Sequence, residues 1–256
     1  MKLVCLNAWG GHELDPLLEF IKTHAPYTDL FCFQEVFNNS AGKVSDGEFR
    51  LNLLDELKQA LPSFEPYYIP GQVGFAIDRS PVPYDLSFGS AIFAQTSLKP
   101  EFSHVVLLEN NDSSDHPYHE TKHLLNVKPA LSGKPLTIST LHGLWVPNIG
   151  KTDTEERLIQ SRRIREFLDA QPGEKILCGD LNLNPGTESL RMLEQGYRNL
   201  IADFDIQTTR SALYKRSDRF ADYTLVTPGV QVRSFEVPDV PISDHLPMIL
   251  EFDLAT

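Results

Sequence analysis

Apolar residues recur along this chain at two spacings, and the switches between them divide it into elements. Lys2–Trp9, Asp29–Val36 and Lys175–Leu181 each contain a short, nearly continuous apolar run of strand length. The pattern predicts further strands at Glu65–Ile69, Gly89–Ala94, His104–Leu108, His123–Val127 and Pro135–Leu141. Others follow at Tyr223–Thr227, Gln231–Glu236 and Leu246–Phe252. A helical period appears in Asp15–Thr23, where Leu17, Leu18 and Ile21 share a face, and in Phe49–Ala60, where Leu51, Leu54 and Leu57 do. A charged helix at Thr154–Leu168 can turn Leu158, Ile164 and Leu168 inward, and a short one lies near Glu188–Glu194. Many strands, few helices and no evident linker or repeat predict two sheets packed together with helices outside. At 256 residues, one domain spanning 1–256 is expected. Gly71–Phe88 and Glu109–Thr121 interrupt the pattern as long loops, either functional rims or plain surface excursions.

Composition narrows the class. A hydrophobic fraction of 41% is ordinary for a soluble globular chain. No apolar run approaches the ~18 residues of a membrane span. The first apolar run is too short for a signal peptide, and Asn7 interrupts it. Cys5, Cys32 and Cys178 all fall inside strand-like runs, which favours reduced, buried thiols and a cytoplasmic protein. A catalytic cysteine is the sharper alternative, but apolar burial raises thiol pKa. A net charge of −12 weighs mildly against a tight, non-specific nucleic-acid binder, although local patches can override a global sum.

The chemistry lies where the apolar runs stop. Asn7 follows Lys2–Leu6, Gln34-Glu35 follows Leu30–Phe33, Gly179-Asp180-Leu181-Asn182 follows Lys175–Cys178, and Ser243-Asp244-His245 precedes Leu246–Leu250. Carboxylates, amides and imidazoles make poor core material but suit metal-assisted phosphoester hydrolysis. Glu35 is the first choice as a hard oxygen ligand for Mg²⁺ or Mn²⁺, and Asn7 can position that carboxylate or contact the metal. Asp180 and Asn182, two apart on one strand, project from the same face. One can orient or deprotonate water while the other donates to the phosphate. His245 is the candidate general base or phosphate stabiliser, with Asp222 able to fix its tautomer. His142, after the run Leu136–Leu141, can stabilise the pentacoordinate phosphorus or assist the leaving group. No acidic partner for His142 is evident. Each residue alone has a structural explanation; the combination is what points to catalysis.

Together these residues resemble the endonuclease/exonuclease/phosphatase superfamily, of the deoxyribonuclease and sphingomyelinase type. The matching pieces are Leu6-Asn7-Ala8-Trp9, Phe33-Gln34-Glu35-Val36, Leu141-His142-Gly143, Cys178-Gly179-Asp180-Leu181-Asn182, Phe220-Ala221-Asp222-Tyr223 and Ile242-Ser243-Asp244-His245-Leu246-Pro247. They occur in family order across nearly the whole chain. The resemblance implies an α/β fold, a four-layered α/β sandwich with two mixed β-sheets face to face and helices outside. It also implies metal dependence, with Glu35 as ligand, Asp180 and Asn182 at the scissile phosphate, Asp222 paired with His245, and Asp244 near the metal or its waters.

The substrate is less legible. Arg210, Lys215, Arg216 and Arg219 form a basic stretch that can meet flanking phosphates, with Tyr214 available for stacking, or simply a solvated loop balanced by Asp218. The helix with Arg157, Arg162, Arg163 and Arg165 also holds Glu155, Glu156 and Glu166 and reads as an ordinary surface helix. His104, His116, His119 and His123 lie close together, and the spacing of the last three raises a zinc site on a helix, which Pro117 and the polar surroundings disfavour in favour of a loop. Three functions follow: a phosphodiesterase acting on DNA or RNA, a phosphoesterase acting on a lipid headgroup or small phosphoester, and a non-catalytic binding protein. The last predicts a lost metal or base residue, and none is missing.

Overall fold

The computed structural model describes every residue except 43, 46, 77–79, 110–119, 132, 134, 147 and 256. The first half of the chain forms β1 (Lys2–Asn7), α1 (Leu14–His24), β2 (Leu30–Asn38), α2 (Leu53–Ala60), β3 (Phe64–Val73) and β4 (Ser87–Gln95). Next come β5 (Glu101–Leu108), β6 (Lys122–Lys128), β7 (Leu136–His142), α3 (Glu155–Asp169) and β8 (Glu174–Asp180). The remainder is α4 (Glu188–Glu194), β9 (Arg198–Asn199), α5 (Leu200–Asp203), β10 (Asp222–Val226), β11 (Val230–Glu236) and β12 (Met248–Leu254). The strands form two six-stranded sheets, in the orders β11-β12-β1-β2-β4-β3 and β5-β6-β7-β8-β10-β9.

The two sheets share one plan. Parallel β1 and β2 are flanked by antiparallel β12 and β4. Parallel β7 and β8 are flanked likewise by β6 and β10. A parallel pair needs a crossover, and α1 and α3 supply the two. Strand alternation then builds the layers. Leu3, Cys5, Leu30 and Cys32 pack with the second sheet, whereas Val4, Leu6, Phe31 and Phe33 pack against Leu17, Ile21, Leu53 and Leu57 of α1 and α2. Ile164 and Leu168 of α3 join the core on the far side of the second sheet. This burial on both faces explains why the strands read as continuous apolar runs. The result is a four-layered α/β sandwich in which the central parallel pairs face each other.

Several boundaries differ from the sequence pattern. The helix expected from Phe49 begins at Leu53, because the preceding backbone is already committed: Arg50 bridges to Ser45, and the Leu51 N–H donates to Val44 O. β3 runs on to Val73 and β4 begins at Ser87, so the ends of the expected loop Gly71–Phe88 are strand. Most of the expected loop Glu109–Thr121 lies outside the described residues. The helix read as a surface element buries Arg157 completely and leaves Leu158 half-buried. Arg157 donates from Nε to Leu144 O (3.1 Å), from Nη2 to Gly150 O (2.9 Å) and from Nη1 to Thr152 O, pinning the turn after β7. All three cysteines are free and buried, and burial pushes the Cys5 thiol up. Among the described residues, no helix is long and apolar enough to cross a membrane.

Candidate active site

Side chains from both sheets meet above the ends of the parallel strands, where ligands commonly bind in α/β sheets. Asn7 closes β1 and is fully buried. Its Oδ1 accepts the Trp9 N–H at 3.0 Å, which leaves Nδ2 to donate to Glu35 Oε1 (3.0 Å) and to Asp180 Oδ2 (3.1 Å). One amide thus ties the two sheets together.

Glu35 reaches the cleft through a bulge. Phe33 pairs with Ala91 and Val36 with Gly89, so Gln34 and Glu35 together face Ser90. Glu35 adopts a left-handed backbone (φ 56°), uncommon for a residue with a side chain. Gln34 turns into the sheet interface and donates to Thr140 Oγ1 at 2.9 Å. The bulge frees one residue for the core brace and its neighbour for the site.

In the second sheet, His142 and Asp222 both stand in register with Asp180. Glycines let neighbouring backbone pass where a side chain would not fit. A Cβ on Gly179, whose φ is 143°, would lie 2.3 Å from Leu141 O, and one on Gly143 would lie 2.2 Å from Leu181 O. That approach places His142 Nε2 3.8 Å from Asp180 Oδ2 and 3.6 Å from Glu35 Oε1. Glu120 Oε1 lies 3.7 Å from His142 Nδ1, an acidic neighbour that the sequence did not reveal. Asn182 does not extend the strand, which ends at Asp180. A left-handed turn (φ 53°) brings it round, its N–H bonded to Asp180 Oδ1 (2.9 Å) and its Nδ2 to Gly143 O (3.2 Å).

His245 arrives on the loop before β12. Ser243 fixes that loop, donating from Oγ to Asn7 O (2.7 Å) and accepting the His245 N–H (3.1 Å). The Asp222 carboxylate lies 2.8 and 2.9 Å from His245 Nδ1, so Nδ1 carries the proton and Nε2 is the acceptor. Arg210, in a β-bridge with His245, donates from Nη1 to that Nε2. Burial, and then Arg210, work against protonation of His245, but Asp222 and Asp180 outweigh them and raise its pKa. Burial would likewise raise Asp180, yet His245, His142, Arg210 and Lys151 hold it well below the usual carboxylate range. Glu35 goes the other way: burial lifts its pKa and Asp244 adds to the effect, against His142, His245 and Asn7.

Most of these side chains line a cleft of about 730 Å³, while Asn7 and Asp222 contact its lining rather than form it. Its acidic side fits a hard divalent cation. Ligand atoms of Glu35, His142 and Asp180 lie within 4.8 Å of one another, and the buried Asp244 Oδ1 has no hydrogen-bond partner among the described residues. Carboxylates brought this close, with an imidazole beside them and one oxygen unused, make a donor set that a divalent metal can use. All eight residues singled out in the sequence therefore cluster at this one place: Asn7, Glu35, His142, Asp180, Asn182, Asp222, Asp244 and His245.

A family model described as "Endonuclease/Exonuclease/phosphatase family" matches residues 4–245. The chain belongs to this family. No curated protein matches the sequence significantly. Among solved structures, an endonuclease/exonuclease/phosphatase from Beutenbergia cavernae superposes with a TM-score of 0.73 at 20% identity, covering 100% of this chain and 72% of that one. A mannosyl-6-phosphatase from Bacteroides thetaiotaomicron gives 0.72 at 16% identity, covering 99% of this chain and 100% of its own. The human nocturnin catalytic domain with a bound sulfate anion gives 0.68 at 15%, with 100% and 93% covered. At such identities these likenesses speak for the family's sandwich fold.

Beyond the family motifs, the site holds residues that the sequence left undistinguished. Arg210, one of four basic residues in its stretch, has an 8% exposed side chain that stacks on Tyr214, with its Cζ 4.1 Å from the ring centroid. Lys151, 3% exposed, enters from the turn that Arg157 pins. Nothing in the local pattern marks either one, since their neighbours belong to loops without periodicity. Lys215 and Arg216 also line the cleft, whereas Arg219 does not. His116 and His119 of the weighed zinc site lie outside the described residues. His104 and His123 stand on adjacent strands, with His104 Nδ1 2.8 Å from the Tyr67 hydroxyl.

Proposed function

We propose that the chain is a single catalytic domain, 1–256, that hydrolyses phosphoester bonds with Mg²⁺ or Mn²⁺, a phosphodiester of DNA or RNA being the first-choice substrate. The observation that carries this reading is the convergence of the Asp222–His245 pair, Asp180 with Asn182, and Glu35 with His142 in one cleft. Glu35 and Asp244 would hold the cation, with Asn7 bracing the Glu35 carboxylate. When bound, the cation offsets charge on the non-bridging oxygens.

The chain's own groups do the rest. His245, with Nδ1–H held by Asp222, takes a proton from the attacking water at Nε2 once Arg210 Nη1, which donates to that nitrogen here, turns to the phosphate. Asp180 Oδ2, 3.6 Å from that Nε2, orients the water. The Asn182 amide and the Arg210 guanidinium donate to the phosphate oxygens. His142, with Glu120 behind its Nδ1, stands to protonate the departing oxygen. The buried free thiols accord with a cytoplasmic location.

A second reading, hydrolysis of a small phosphoester or lipid headgroup, is favoured by the net charge of −12. One neighbour is itself a mannosyl-6-phosphatase, and another carries a bound sulfate, an oxyanion like phosphate. Plasmid DNA, an RNA oligomer, sphingomyelin, a sugar phosphate and a chromogenic diester, each assayed with Mg²⁺ and with EDTA, separate the readings. Metal-dependent cleavage of at least one is expected, and His245→Ala should lower it about 10²- to 10⁴-fold. No cleavage of nucleic acid at high enzyme concentration sinks the first substrate choice. No metal-dependent turnover of any substrate sinks the enzyme.

A further inference from the structure

A smaller chamber of about 280 Å³ adjoins the cleft. Trp145, Lys151, Tyr214 and Arg216 line both spaces, so the chamber shares a wall with the cleft. Its charged lining consists of Lys151 and Arg216 against one carboxylate, Asp218.

Lys151 is the decisive residue. Its side chain is almost wholly buried, yet its ammonium makes a single hydrogen bond among the described residues, to Phe220 O at 3.2 Å, and leans on the Tyr214 ring at 5.3 Å. An ammonium has three donors and is seldom buried with so few acceptors. Burial lowers its pKa and Arg210 adds to the effect, against the charges of Asp180, Asp218 and Asp222. Arg216 lies over the Trp145 ring at 5.5 Å, a stacking that orders an exposed guanidinium. The turn carrying Lys151 is fixed by Arg157, so the ammonium is built into position.

We propose that Lys151 and Arg216, set on Tyr214 and Trp145, bind a second phosphate of the substrate beside the one that is cleaved. This rests on the phosphoester reading of the cleft and narrows it to substrates with two neighbouring phosphates. The second phosphate comes either from the adjoining link of a nucleic acid or from a doubly phosphorylated small molecule. Asp218 limits the chamber's net positive charge, which suits one phosphate rather than an extended polyanion.

The test compares a dinucleotide with and without a terminal phosphate, and a sugar bisphosphate with its monophosphate. Binding is titrated calorimetrically in EDTA, and kcat/KM is measured with Mg²⁺. The second phosphate should tighten binding at least tenfold in one of the two pairs, and the responding pair identifies the source. Lys151→Gln and Arg216→Gln should each reduce that advantage to within about twofold. Arg216 is exposed, so its variant still reads the subsite if the Lys151 variant fails to fold. An equal affinity within both pairs, or an advantage that survives Arg216→Gln, overturns the proposal. The metal-free titration gives its answer even if none of the compounds is hydrolysed, which would count against the enzymatic reading instead.

Discussion

Single residues in this molecule do work that their place in the hydrophobic pattern conceals. Arg157 sits in a helix whose surface is otherwise charged, and by composition nothing separates it from Arg162 or Arg163. In the fold it is fully buried and satisfies three loop carbonyls. Replacing it by Leu would strand those acceptors, and the cost should be about 2–4 kcal/mol in a urea unfolding experiment. The same variant should lose activity beyond its loss of stability, because the turn it pins delivers Lys151. An unchanged unfolding midpoint would show that the turn holds without it. Arg210 teaches the same lesson from a loop, since four basic residues close in sequence reach quite different depths. Asn7 and Glu35, by contrast, were readable as site residues, because a polar group at the end of an apolar run has few other reasons to be there, although β2 itself continues past Glu35 to Asn38.

Among the elements, the strands were legible because burial on both faces leaves a run of apolar residues with abrupt polar ends. The site residues at those ends were legible for the same reason. What the pattern could not show was the bulge at Gln34-Glu35 or the left-handed turn at Asn182, since a period describes regular backbone and these positions depart from it. Helix α2 was placed too early because Leu51 fits the helical period while its backbone is used elsewhere. The two-residue β9 and single-turn α5 are too short to carry any period. Termini add a further testable feature. Asp153 accepts the backbone N–H groups of Glu188 (2.7 Å) and Ser189 (2.9 Å), while Thr187 accepts that of Leu190, so α4 starts with its free donors satisfied. Burial opposes ionisation of Asp153, but the bonds from Ser189 and Glu188 and the charge of Arg191 together outweigh it and lower its pKa from 3.8. A depressed carboxyl stabilises the fold above its unfolded pKa, and the gain fades as pH falls through the folded value. Asp153→Ala should therefore cost about 0.5–1 kcal/mol at pH 7 and little near pH 2. A cost that is the same at both pH values would deny the cap an ionic part.

For the molecule as a whole, the two sheets matter as a pair. Each repeats the plan of a parallel couple between antiparallel strands, and neither alone holds the full set of polar groups. Sheet one supplies Asn7 and Glu35; sheet two supplies His142, Asp180 and Asp222; the loop before β12 brings Asp244 and His245 across. The sequence showed these pieces in order, but their convergence belongs to the sandwich. Under the proposed function, this convergence makes a divalent-cation centre. Mn²⁺ binding followed by electron paramagnetic resonance tests it most directly, comparing the native protein with Glu35→Gln, which keeps the side-chain shape and removes the charge. The native protein should bind Mn²⁺, and the variant should bind it at least tenfold more weakly while melting at a similar temperature. Equal affinity in the two proteins, or no binding by either, would contradict the claim.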